Sequence, residues 1–399
     1  MPRRRSFWIV QPREARVHAA IVAAVLWIIG VVTLLRPGPL DAFGNLKGGD
    51  FVHFYALGHV ALARDAGGLY DRVALHDRQT GLVPASETEH YDPAYPPQVA
   101  LLFAPFARAP FLWAFLAWAA CIVVIYVLCV HAAWKSIGPS PPDGWLVAWA
   151  AAAFPPFWNL VLHGQSSVIP LAAFTFAALA FTRGHRFVAG LCLGLLAVKP
   201  QFALAVAVVS VVTAQGRMIA GMFVTSAAQV LAAAAVFGSG VWLEYANVAR
   251  EMLLRPALIE PRPYQLHSIR ALTRLLPEPA GAILWAVASV AVIWMLCRVW
   301  RAPAPPPLVK FGLMVVASAL VSPHLTVYDA TVLFPAALWV GVWMRSEKYW
   351  SLEYWTVVAF LAPTAWLIGV QVSVVLLSVL FFTAASAAVS QPAIADLDM

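Results

Sequence analysis

Apolar runs close to the length of a bilayer crossing recur along the whole chain, separated by linkers and loops that hold most of the charge, proline and glycine. They are 18–35, 110–131, 145–162, 166–182, 186–198, 201–214, 218–237, 280–298, 308–322, 329–344, 352–369 and 371–389. A spanning helix needs about 20 apolar residues, and these runs lack the polar face that a water-facing helix carries. The pattern predicts an all-α polytopic membrane protein of about 12 transmembrane helices, a single transmembrane domain over residues 1–399. Two runs, 186–198 and 201–214, are short and joined by Lys199-Pro200. At 1.5 Å per residue each covers only about 20 Å, so their hairpin tip is expected below the membrane surface, as is tolerated where irregular chain lines a cavity. Residues 96–109 make about two-thirds of a span and are expected to form a juxtamembrane helix on the outer interface.

Composition narrows the class. The chain is 62% hydrophobic and 11% charged, with a mean hydropathy of +0.78, whereas soluble domains carry roughly a quarter charged residues. The net charge of +7 invites a nucleic-acid partner, but the basic residues are scattered over short linkers, as topology signals are. No nucleic acid is expected. Cys121, Cys129, Cys192 and Cys297 all fall inside apolar runs without metal-ligand spacing and read as small buried hydrophobes. The opening "MPRRRSFWIVQPREAR" looks like a signal peptide, yet "RPGPLDAFGN" after the first run offers no small-x-small cleavage site. An uncleaved first span is expected.

Twelve spans place both termini on one side, which the Arg-rich start makes cytoplasmic. The linkers "HAAWKS", "TRGHR", "AQGRM", "CRVWRAPAPPPLVK" and "MRSEKYW" then all lie inside, and all carry Lys or Arg. The outer side receives two long loops, 36–109 and 238–279, and the turns "LHGQSS", "VKPQF" and "VSPHLTVYD". Asp50, His53, His163, Gln165, Lys199, Gln201, His324 and Asp329 thereby gather on one face, which points to an extracytoplasmic site at the membrane edge. The sequence shows no Walker loop, no dinucleotide fingerprint after a strand and no His-Glu-x-x-His helix. With no room for a cytoplasmic nucleotide-binding domain, the activated substrate is expected to arrive through the lipid phase.

Each candidate has a structural and a chemical reading. Asp50, in "KGGDFVHFY", either caps a helix starting at Phe51 or is a general base near a lipid-linked substrate. Phe54 and Tyr55 form aromatic walls or an interfacial belt. In "YDPAYPPQVALLFAP" the prolines set a rigid entry to the next helix, while Tyr95 can border a pocket. Lys199 either snorkels to the interface or neutralises a lipid phosphate. His324 is a loop or cap residue, or a donor to a phosphate or sugar hydroxyl. His163 and Gln165 can serve merely to solvate a glycine turn. Segments 242–256 and 264–276 have the spacing of amphipathic helices lying on the membrane or covering a cleft; His267 and Arg270 share one face by their three-residue spacing.

The motifs "GGDFVHFY", "GGLYD", "YPPQVALLFAP", "HGQSSVIPLAAF", "AGLCLGLLAVKPQFAL" and "SPHLTVYD", in that order over about residues 45–330, resemble the polytopic glycosyltransferases of the GT-C class. The nearest resemblance is to glycosyltransferase family 87, which includes mycobacterial polyprenol-phosphate-mannose-dependent mannosyltransferases. It implies a GT-C-like fold in a bacterial plasma membrane, a polyprenyl-phosphate sugar donor, a glycolipid or glycan acceptor and metal-independent inverting transfer. It further implies an aspartate of the first outer loop as general base, which Asp50 matches; no cofactor and a monomer are expected. Family members often have Asn where this chain has His163. Lys199 and His324 are expected to stabilise the departing phosphate, with Asp329 a potential second carboxylate. Tyr55, Tyr95, His53, His163, Gln165, Gln201, His267 and Arg270 complete the expected substrate-binding set. Two other classes fit the hydropathy. A transporter or lipid flippase would show polar groups at mid-membrane and related halves, and a structural or assembly subunit would not need the clustered acid, lysine and histidine.

Overall fold

The computed structural model describes residues 9–138, 141–254, 265–345, 347–362 and 364–390. Every named element is helical, and among the described residues there is no strand, only an isolated bridge between Leu40 and Leu46. Among the described residues, six helices are long and apolar enough to cross a membrane: Pro12–Leu34, Phe111–Lys135, Gly216–Phe237, Ala280–Arg301, Val327–Met344 and Val372–Ser390. Large apolar side chains such as Ile28, Val32, Val127, Val290 and Trp294 stand exposed on them. Such faces are unfavourable in water and normal against lipid.

The remaining predicted spans coincide with helices that are bent, broken or short; among the described residues six helices, or seven if the bent pair is one span, have the length and composition of a full crossing, which leaves the expected count of about twelve unconfirmed. Proline explains the bend: Gly144–Ala152 and Pro155–His163 meet at 46°, where Pro155-Pro156 cannot continue the hydrogen-bond ladder. Segment 186–198 is helical to Gly194 and then tightens into a 3-10 turn, Leu195–Val198; a second one, Pro200–Phe202, leads into Ala203–Val212. Lys199 is left between them at the tip. Val168–Thr182 and Pro307–Val321 have only 15 residues each, and the run 352–369 is divided between Glu347–Ala359 and Thr364–Ile368.

The first long loop is folded onto the bundle. Its helix Phe51–Ala63 is buried along most of its length and packs on Gln98–Phe103. The contact is close: a Cβ on Gly58 would lie 2.6 Å from the Phe103 carbonyl oxygen. The single juxtamembrane helix expected over 96–109 is instead a six-residue helix and a 3-10 turn, Phe106–Arg108, divided at Pro105. Asp71 caps the helix Arg72–Leu82, accepting from the Val73 and Ala74 N–H groups. Arg72 also joins the two long loops, reaching Asp92 at 2.6 Å and Glu251 of the helix Val241–Leu254 at 3.0 Å.

That helix occupies the first segment expected to be amphipathic, 242–256, of which 255–256 lie outside the described residues. The second, 264–276, is corrected to a five-residue helix, Ile269–Thr273, with Ile269, Arg270 and Thr273 buried; Tyr264 lies outside the described residues. A membrane-lying helix would turn its cation to water, and this one turns it inward.

Candidate active site

The site begins with two glycine turns that clasp one aromatic cluster. Gly48 has φ +65°, and a Cβ there would lie 2.4 Å from the Phe115 ring. Gly164 has φ +61°, and a Cβ there would lie 2.7 Å from Phe51 Cβ. Trp118 Nε1 donates to the Gly164 carbonyl at 2.8 Å. Only glycine accepts both the left-handed backbone and the contact. The turns present Asp50 and Gln165 to each other, and Gln165 Nε2 donates to Asp50 Oδ2 at 2.7 Å.

Asp50 stands at the N-cap position of Phe51–Ala63, but its side chain makes no capping bond. The capping reading therefore loses its physical basis. The carboxylate is half-buried, and Oδ1 has no hydrogen-bond partner among the described residues.

Gln165 continues the network. Its Oε1 accepts from Tyr95 Oη at 3.1 Å, the Ser166 N–H at 3.2 Å and Lys199 Nζ at 3.4 Å. Lys199 also donates to Ser167 Oγ at 2.9 Å and to Asp329 Oδ1 at 2.7 Å. Ser167 Oγ donates to the same Asp329 oxygen at 2.6 Å. Asp329 Oδ2 accepts from the Thr326 N–H at 3.3 Å and Thr326 Oγ1 at 3.2 Å, a capping box on the turn Val327–Val332. The rings of Tyr95 and Tyr328 flank Lys199 Nζ at 5.8 and 5.3 Å. Lys199 is 2% exposed and Asp329 1%; the lysine does not snorkel to the surface.

The other expected residues are distributed as follows. His53 is buried against Tyr91 and Tyr95, with ring centroids at 5.4 and 6.0 Å, and neither ring nitrogen has a partner among the described residues. Burial without an anion beside it pushes this imidazole down to about 4, so it is neutral near pH 7. Tyr55 gives its hydroxyl to the Ala109 carbonyl at 2.9 Å and belongs to the packing of its helix. His163 closes the helix Pro155–His163, its Nδ1 2.9 Å from the Asn159 carbonyl, and its ring lies 6.1 Å from that of Tyr328. Gln201 is half-buried in the turn after Lys199, and His324 is half-buried at the turn whose other end holds Asp329.

His267 and Arg270 are not brought into this network. His267 pairs with Ser373 Oγ at 2.8 Å and packs against the tilted ring of Phe360, while Arg270 pairs with Glu278 at 2.5 Å. Conversely, the sequence reading passed over Ser167 and Tyr328. Their signal was adjacency to glycine- and proline-marked turns already under suspicion, "HGQSS" and "SPHLTVYD". No group of three or more His, Cys, Asp or Glu side chains among the described residues is arranged to hold a metal ion.

The clasp yields a direct test. Gly164→Ala is expected to lower stability by about 1–3 kcal/mol, because a side chain must then hold a left-handed conformation and displace Phe51. Thermal melts of the purified variant would show it; an unchanged melt would mean that the turn relaxes freely.

In comparisons with known proteins, the family model described as glycosyltransferase family 87 matches residues 94–323, over half of the chain. This stretch includes Tyr95, His163, Gln165 and Lys199, and ends just before His324. No curated protein and no solved structure matches the chain.

Proposed function

Because this chain belongs to glycosyltransferase family 87 and is thus a membrane glycosyltransferase, we propose that it transfers a sugar from a polyprenyl phosphate to a glycolipid or glycan acceptor on the extracytoplasmic side. The sugar is mannose or a related pentose or hexose, and the transfer inverts the anomeric centre. One observation carries this reading. Of the two carboxylates in the network, Asp329 has both oxygens engaged by Lys199, Ser167 and Thr326, whereas Asp50 has Oδ1 unengaged and is half-buried. A carboxylate with an unengaged oxygen can take a proton; a saturated one cannot without breaking its bonds.

The acceptor hydroxyl oxygen forms the bond to the anomeric carbon as the bond from that carbon to the phosphate oxygen breaks. Asp50 takes the hydroxyl proton, and the polyprenyl phosphate leaves with the bonding electrons. One base and a phosphate leaving group suffice for a single displacement, and no acid like that of paired-carboxylate hydrolases is required. Lys199 and Asp329 together carry no net charge, so they offer little to the departing phosphate. His324, half-buried at the same turn, is the better candidate to donate to it.

The reading also places both termini in the cytoplasm of a bacterial cell and the network at the outer edge of its plasma membrane, as the basic linkers support. In a background without the four native cysteines, a cysteine at Phe43, which is 75% exposed, should be labelled in intact cells by an impermeant thiol reagent. One at Gly184, which has open space around it, should stay protected. The reverse pattern would overturn the sidedness. The function itself is tested by incubating the purified full chain in lipid nanodiscs with a panel of polyprenyl-phosphate sugars and an acceptor extract, with mass spectrometry of the products. Transfer from a polyprenyl phosphate is expected; transfer from nucleotide sugars alone would refute the donor assignment.

A further inference from the structure

A lysine at the tip of an apolar hairpin invites assignment as a phosphate clamp, but its bonds argue otherwise. An ammonium group has three N–H donors, and Lys199 directs hydrogen bonds to three acceptors: Gln165 Oε1, Ser167 Oγ and Asp329 Oδ1. Its charge is matched by a carboxylate that is itself fully engaged. Capturing a phosphate would mean abandoning a buried partner, which is costly.

The pair has a different object. Gln165 Oε1 receives Lys199, Tyr95 and the Ser166 N–H, and an amide whose oxygen collects donors must turn its NH₂ the other way. That NH₂ faces Asp50 Oδ2 at 2.7 Å. The chain of contacts fixes which Asp50 oxygen is occupied, and so which one is left.

We propose that the buried Lys199–Asp329 pair, acting through the Gln165 amide, is a positioning device that holds Asp50 by Oδ2 and leaves Oδ1 to receive the acceptor proton. This rests on the assignment of Asp50 as general base. It makes Lys199, Asp329 and Gln165 positioning residues that touch neither sugar nor phosphate, and it gives Ser167 the task of sharing the Asp329 oxygen with the lysine.

The test is a double-variant cycle on the full chain in nanodiscs, with folding followed by size exclusion and thermal melts. Asp50→Glu lengthens one arm of the contact by a methylene, and Gln165→Asn shortens the other. Each alone should lower kcat about ten-fold or more with donor KM within about two-fold. Together they restore the reach, so the double variant should exceed the product of the two defects by about ten-fold or more, the non-additivity expected of residues in contact. An additive cycle would overturn the proposal.

A second measurement covers the case in which Gln165→Asn does not fold. Lys199→Met with Asp329→Leu replaces the pair by apolar side chains of similar size, which buried pairs often tolerate. Positioning predicts a fall in kcat at unchanged donor KM. A rise in donor KM at unchanged kcat would show Lys199 to be a phosphate clamp and overturn the inference. Asp50→Asn separates the two layers: an active enzyme removes the base assignment itself, whereas an inactive one with an additive cycle removes only the positioning.

Discussion

Asp50→Asn should lower sugar transfer by at least about 100-fold, the scale of lost general-base catalysis, while the donor KM and the melting temperature stay near those of the wild type. Asparagine keeps the size of the side chain, and its carbonyl oxygen can still accept from Gln165 Nε2 as Oδ2 does now at 2.7 Å. It cannot take the acceptor proton. The substitution is also unusually clean at this position. Asn caps helices about as well as Asp, and the native side chain makes no capping bond, so the helix Phe51–Ala63 has nothing to lose. Steady-state transfer from a polyprenyl-phosphate sugar, read with a thermal melt of the same preparation, decides the matter. Wild-type turnover in a folded Asp50→Asn enzyme would exclude Asp50 as the base.

The largest expected stability effect belongs to Lys199. Lys199→Met removes the cation from a pair in which both members are almost fully buried and leaves the Asp329 carboxylate without its counter-charge. Breaking a buried pair from one side costs about 3–5 kcal/mol, whereas replacing both members by apolar groups is often neutral. The melting temperature should therefore fall sharply in Lys199→Met and recover in the variant that also carries Asp329→Leu. Because the remaining charge is an acid, the single variant should also be stabilised by lowering the pH, which neutralises Asp329 and removes the buried charge. A Lys199→Met protein as stable as the wild type would mean that Asp329 finds water or another donor when the lysine is gone.

The residues that carry the site were legible to differing depths. Asp50, Gln165 and Lys199 were each conspicuous as polar groups next to glycine or proline in an apolar chain, and the folding of the loops onto one another brings them together. Their roles were not legible, because a role depends on partners far away in sequence. Lys199 read as a charge seeking an anion, since nothing local announces that Asp329, 130 positions later, already neutralises it. Ser167 and Tyr328 look ordinary until the tertiary contacts are formed. His267 and Arg270 show the opposite failure. Their spacing describes a shared face only if both lie on one helix, and the helix starts at Ile269, after His267. Hydropathy located the helical runs but missed their breaks, because it counts apolar residues and is blind to the Pro155-Pro156 bend and to the 3-10 turns that flank Lys199.

The Arg72 contacts between the two long loops behave differently from the buried network when the solution changes. Arg72, Asp92 and Glu251 have side chains that are 42%, 25% and 33% exposed, and partly exposed charges lose their attraction as mobile ions accumulate around them. The Lys199–Asp329 pair is sealed from those ions. Ionic strength is therefore a selective probe of this molecule: added salt slackens the tie between the first loop and the helix Val241–Leu254 while the wiring behind Asp50 stays as it was. A salt dependence of turnover would then report on how firmly the outer loops grip each other, in a protein whose Lys199–Asp329 pair is itself insulated from salt.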